Sequence, residues 1–179
     1  MDVKLKYKMK PFVHQQEALD QGWDRKEFGL FMEMGTGKSK VLIDNAAMLY
    51  KVGLINFALI IAPKGVYRNW VEKEIPEHIV EDINYRVIRW VSLPNKTQEK
   101  QMRSVKDKFD GLTIFVMNVE AFSTAKGKRA GEWMGRAFGK HGLIAIDEST
   151  TIKNHRAKRT KNLIEVASLF NYKRFLTGS

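Results

Sequence analysis

The chain has 179 residues, 44% of them hydrophobic, which is enough to bury one substantial core and lies within the size of a single domain. The absence of cysteine excludes disulfides and thiolate metal sites, and the four histidines (His14, His78, His141, His155) show no ligand spacing such as HExxH, so no structural metal is expected. Lys and Arg number 31 against 20 Asp and Glu, a net charge of +11, for which a polyanionic partner such as nucleic acid is the simplest physical reason; solubility alone, a ribosome or a membrane surface would suit it too.

Val3, Leu5, Tyr7 and Met9 alternate with polar residues, the period of a half-buried strand, before Pro11 interrupts them. This lysine-rich start carries no signal-peptide core, and no apolar run reaches the ~18 residues of a membrane span. A soluble cytoplasmic or nuclear protein, neither secreted nor membrane-bound, is expected. Residues 14–25 read as a short helix. Phe28 to Met32 form an apolar run that stops at Gly35-Thr36-Gly37, after which Val41, Leu42, Asn45, Ala46 and Leu49 recur at helical spacing.

Strand, glycine loop and helix are the context that gives Met32-Glu33-Met34-Gly35-Thr36-Gly37-Lys38-Ser39 its meaning as a Walker A loop. Its glycines let backbone N–H groups turn toward phosphates, and the helix beginning near Lys38 adds its positive dipole end. Lys38 would reach the β- and γ-phosphates, and the Ser39 hydroxyl would bind Mg²⁺, with Met34, Gly35, Thr36 and Gly37 completing the cradle. The first glycine of the strict pattern is replaced by Met32, so the motif is relaxed at its start.

Phe57 to Ala62 is a continuous apolar run ended by Pro63, and Val66, Trp70, Val71 and Ile75 fit one helix face. Tyr85 to Val91 and Leu112 to Met117 read as strands, with a helical stretch from Asn95 to Asp110 between them. Lys126 to Gly131 is the most loop-like segment and is expected to be mobile. Leu143 to Ile146 and Arg174 to Leu176 complete the strands. Apolar strands each followed by a helical segment predict an α/β fold with a mostly parallel sheet covered on both faces.

The strand Leu143 to Ile146 ends in Asp147-Glu148. A lone acidic pair is more often a helix cap, but behind a phosphate loop it reads as Walker B. Asp147 would hold Mg²⁺ through its coordinated water, and Glu148 would orient and deprotonate the water that attacks the γ-phosphate. ATP and Mg²⁺ are the implied cofactors.

Asp147-Glu148-Ser149-Thr150-Thr151-Ile152-Lys153-Asn154 resembles the D-E-x-H-x-[IL]-K-N segment of the Swi/Snf-type branch of superfamily 2 helicases and ATPases. Other segments agree in order. Pro11 to Leu19 resembles the adenine-reading motif, which would make Gln15 the base-contacting glutamine. Ala62-Pro63-Lys64 with Asn69-Trp70 resembles motif Ia, Val116-Met117-Asn118-Val119-Glu120 motif Ib, and Leu176-Thr177-Gly178-Ser179 motif III. The match runs from Pro11 to Ser179. It implies a three-layer RecA-like P-loop NTPase lobe, the N-terminal half of a motor that couples ATP hydrolysis to movement on nucleic acid, with duplex DNA the favoured partner. An RNA helicase, or a nucleotide-binding scaffold without motor activity, is the alternative.

The resemblance also implies a second RecA-like lobe with the arginine fingers, outside this sequence, so the isolated lobe is expected to hydrolyse ATP poorly. One departure is Thr150, where the family commonly has a His that contacts motif III; Thr150 with Thr177, Gly178 and Ser179 is then the candidate coupling set. Lys64 and Asn118 are candidate nucleic-acid contacts by resemblance. Lys153, Arg156, Lys158 and Arg159 join them as a basic cluster suited to sequence-independent phosphate contacts. A P-loop kinase or GTPase would need an N-K-x-D or an arginine-rich lid, and neither is evident.

Overall fold

The computed structural model describes residues 3–147 and 157–178. Its centre is one six-stranded parallel sheet in the order β1-β6-β5-β2-β4-β3, built from β1 (Glu27–Phe31), β2 (Phe57–Ala62), β3 (Tyr85–Arg89), β4 (Leu112–Asn118), β5 (Gly142–Ile146) and β6 (Tyr172–Thr177). The helices are α1 (Val13–Gly22), α2 (Lys38–Lys51), the short α3 (Tyr67–Asn69) and α4 (Ile75–His78), α5 (Lys96–Arg103), α6 (Ala125–Phe138) and α7 (Lys158–Ala167).

The fold is thus α/β with three layers, and the central strands show why their sequences are continuously apolar. Alternate residues of β2 enter opposite cores: Ala58, Ile60 and Ala62 pack with Val41, Leu42 and Leu49 of α2, whereas Phe57, Leu59 and Ile61 pack with Met134 of α6 and Leu163 and Val166 of α7. A strand covered on both faces has no solvent side on which polar residues could alternate. Because every strand runs parallel, the loops that follow β1, β2, β4, β5 and β6 leave from one end of the sheet, the end where α/β proteins bind ligands.

Two expectations are corrected. Val3 to Met9 is not a strand. Val3, Leu5 and Tyr7 are half-buried in alternation, but the backbone is satisfied piecemeal: Glu81 N–H donates to Lys6 O (2.9 Å), Lys6 N–H to Asp82 Oδ1 (3.3 Å) and Lys51 Nζ to Lys4 O (2.8 Å). Period 2 reports an extended chain with one face inward; it does not require a ladder partner.

Lys126 to Gly131 is not a loop either, since it lies within α6, capped by Thr124, whose Oγ1 accepts from Gly127 N–H at 3.0 Å. Its glycines serve close approach. A Cβ on Gly127 would sit 2.0 Å from Ala121 O, one on Gly131 3.1 Å from Val166, and one on Gly135 2.7 Å from Leu169. Spaced four apart, they form the stripe along which α6 packs down on the 119–123 turn and α7.

Candidate nucleotide site

The loop between β1 and α2 owes its shape to two residues in the left-handed region, Gly35 (φ 78°) and Gly37 (φ 81°). Space alone would admit a side chain at Gly35, so its requirement is conformational; at Gly37 a Cβ would also meet Gln15 Nε2 at 2.3 Å. Thr36 Oγ1 donates to Glu33 O (2.7 Å), tightening the turn. Lys38 opens α2 with its ammonium turned back over the loop, donating to the carbonyls of Met32 and Glu33 at 3.0 Å each. Ser39 follows, half-buried.

Gln15 ties α1 to this loop. Its side chain is only 4% exposed, with Oε1 accepting from Phe12 N–H (2.9 Å) and Nε2 donating to Thr36 O (3.0 Å). Both ends of the amide are thus used within the protein. His14 Nε2 also lies 3.0 Å from Thr36 O, and the rings of Phe12 and His14 stack at 5.9 Å. Between α1 and the loop lies a cavity of about 270 Å³ bordered by Phe12, His14, Gln15, Gly35, Lys40 and His78. An aromatic face beside a polar amide suits a planar heterocycle.

Lys40 and Asp44 behind this cavity form a buried ion pair at 2.7 Å, and Lys40 also lies 5.0 Å from the Tyr7 ring centroid. Burial pushes the Asp44 carboxyl up to about 6 despite the Lys40 ammonium beside it. Burial likewise holds the His78 imidazole below its ordinary value.

Asp147 stands at the end of β5, its N–H donating to Ile61 O (2.7 Å) and its Oδ2 accepting from Trp70 Nε1 (2.9 Å). The end of β6 closes on the phosphate loop: Met32 N–H donates to Thr177 O (3.4 Å), and a Cβ on Gly178 would fall 3.0 Å from Met34 and 3.7 Å from Lys38 Nζ. Ser39 and Asp147 are both hard oxygen donors, the kind Mg²⁺ takes alongside phosphate oxygens, so the residues present fit the ion. Glu148, Thr150, Lys153, Arg156 and Ser179 lie outside the described residues.

Among the described residues, the nucleic-acid candidates fall just after β2, at the end of β4 and at the start of α7. Lys64 is exposed just after β2, with its backbone N–H donating to Glu120 (3.1 Å to Oε2). Asn118 is buried and its amide donates to Glu120 Oε2 (3.2 Å), so Glu120 joins the segments after β2 and β4. Lys158 is the exposed first residue of α7, and Arg159 is half-buried behind it. Sequence reasoning missed the Trp70 contact to Asp147 and the linking role of Glu120; Glu120, next but one to Asn118 at the end of an apolar strand, offered a faint signal, and Trp70 none beyond its place on an apolar face.

No protein-family model and no curated protein matches the chain by sequence. Solved structures do match. The SWI2/SNF2 ATPase core of Sulfolobus solfataricus, solved in complex with double-stranded DNA, superposes with a TM-score of 0.74 over 100% of this chain at 19% identity. The UvsW helicase of bacteriophage T4 gives 0.65 over 96% at 17% identity, and a nuclease-deletion mutant of the Type ISP restriction-modification enzyme LlaGI, solved with a DNA substrate mimic, gives 0.65 over 96% at 15% identity. The chain spans 34%, 53% and 18% of the lengths of those three chains. The fold of this chain, a parallel α/β sheet covered by helices on both faces, is therefore one that it shares with those ATPase and helicase structures.

Proposed function

We propose that this chain is the ATP-binding lobe of a DNA-dependent ATPase of helicase or translocase type. The observation that carries the reading is the convergence of the Gly35-Thr36-Gly37-Lys38-Ser39 loop, Asp147 and Gly178 at one end of the parallel sheet. Three strands, β1, β5 and β6, are neighbours there and deliver a phosphate cradle, a carboxylate and a small residue against the loop.

In this reading the N–H groups of the loop and of the first turn of α2 receive the phosphates, and Lys38 exchanges its bonds to Met32 O and Glu33 O for β- and γ-phosphate oxygens. Ser39 and Asp147 would hold Mg²⁺, which would supply positive charge beside the phosphates. Glu148 takes the proton of the attacking water. Phe12, His14 and Gln15 border the base. Gly178 and Thr177, packed against the loop, feel the γ-phosphate first and transmit its loss.

Lys64 and Lys158, with Lys153 and Arg156, contact phosphates of the nucleic acid, for which the net charge of +11 supplies long-range attraction. Phe12, Val13, Phe31 and Met34 are all at least 70% exposed around the nucleotide loop, which supports closure of a second lobe on this face.

Fluorescent nucleotide titration tests the site. ATP is expected to compete far better than GTP, and Lys38→Ala to lose at least ~10-fold in affinity while melting at an unchanged temperature. Equal affinity in Lys38→Ala contradicts the assignment.

A further inference from the structure

Trp70 is fully buried, yet its one polar atom is not spent on a nearby carbonyl; Nε1 donates to Asp147 Oδ2 at 2.9 Å, across 77 residues of sequence. A buried indole does not force such a bond. Trp90, also buried, leaves its Nε1 without a hydrogen-bond partner among the described residues.

The backbone that carries Trp70 is distorted to bring it there. Between α3 and α4, residues Trp70–Glu74 form a π turn in which Ile75 N–H donates to Trp70 O, just before Pro76, which has no N–H of its own to continue an α-helical ladder. In a regular α-helix, residues five apart point roughly 140° away from each other. Here Trp70 and Ile75 are both 0% exposed, so the wider turn puts both on the core face. Wide turns of this kind recur at functional sites.

We infer that Trp70 is a positioning residue for Asp147: its N–H fixes the rotamer of the carboxylate that receives the Mg²⁺ of a bound nucleotide. The inference rests on the nucleotide-site reading above. A charged acceptor makes the bond short and directional, and partners that orient a metal-binding group set its affinity. Trp70 thereby belongs to the ATP side of the lobe, although its segment by resemblance is one that tracks nucleic acid. Asp147 is held at both ends of its residue, by Ile61 O at the backbone and by Trp70 at the side chain.

The test is a titration of Mg²⁺ into the protein with a fluorescent ATP analogue, comparing wild type, Trp70→Phe and Asp147→Asn, with affinity in EDTA as the reference. Because Trp70→Phe leaves a void, a second variant replaces Trp70 by benzothienylalanine, which keeps the bicyclic shape and has sulfur in place of N–H. Both variants are expected to need about 10- to 100-fold more Mg²⁺ for half-maximal enhancement, with unchanged affinity in EDTA. A packing role alone would alter stability and leave that midpoint where it is. If the benzothienylalanine protein shows the wild-type midpoint while Asp147→Asn is impaired, the positioning role is overturned and the site stands. If Mg²⁺ enhances nothing in the wild type, or Asp147→Asn behaves as wild type, the site reading fails and the inference with it.

Discussion

Lys38 and Asp44 lie on the same helix six residues apart and meet opposite requirements. Lys38 sits where its partners are two carbonyls that phosphate can replace, whereas Asp44 is sealed in with Lys40. The raised Asp44 value has a definite consequence for stability. Between about pH 4 and 6 the folded protein keeps on Asp44 a proton that the unfolded chain has released, so the contribution of this one group to stability is fullest below pH 4 and declines as pH rises through 6. Relative to Asp44→Asn, which cannot ionise, the wild type is expected to lose up to about 1.4 kcal/mol per pH unit across that window in urea unfolding. A difference between the two proteins that stays constant from pH 4 to 7 contradicts this. The placement of the glycine turn between β1 and α2, with Lys38 and Ser39 opening the helix and Asp147 ending β5, was legible in the sequence because glycines between an apolar run and a helical period, and an acid after an apolar run, are local marks. The Lys40–Asp44 pair and the Trp70 contact were not, because burial and a partner 77 residues away leave no local mark.

At the scale of elements, α6 shows where composition misleads. Gly127 and Gly131 suggested a mobile loop, but their spacing of four is helical, and each lies where a Cβ would strike a neighbour. An exposed helical Gly→Ala substitution stabilises by up to about 1 kcal/mol. Gly127→Ala should instead destabilise by about 1–3 kcal/mol, because the obstacle at 2.0 Å is the backbone carbonyl of Ala121, which has no rotamer by which to move. A gain in urea midpoint would restore the loop interpretation. The N-terminal segment errs in the other direction: its alternation was read correctly as one inward face and wrongly as a strand, since side-chain period says nothing about where the backbone bonds go.

For the whole molecule, the α/β class and the parallel sheet followed from apolar strands alternating with helices, while the order β1-β6-β5-β2-β4-β3 is set by long-range pairing that local pattern does not encode. That order places the last strand, β6, between β1 and β5, so Thr177 and Gly178 end against a loop formed some 140 residues earlier in the chain. On the same end of the sheet, Lys64→Ala should weaken duplex DNA binding equally for all sequences and reduce the slope of log K against log salt by about 1, measured by fluorescence anisotropy. A sequence-selective loss would point to base reading instead. The most direct measurement is the ATPase rate of this lobe joined to the second lobe that the resemblance implies, with duplex DNA, single-stranded DNA, RNA and no nucleic acid, beside Lys38→Ala. Stimulation greatest with duplex DNA and abolished in Lys38→Ala is the predicted result; a rate indifferent to every nucleic acid would contradict the assignment of this lobe to a motor.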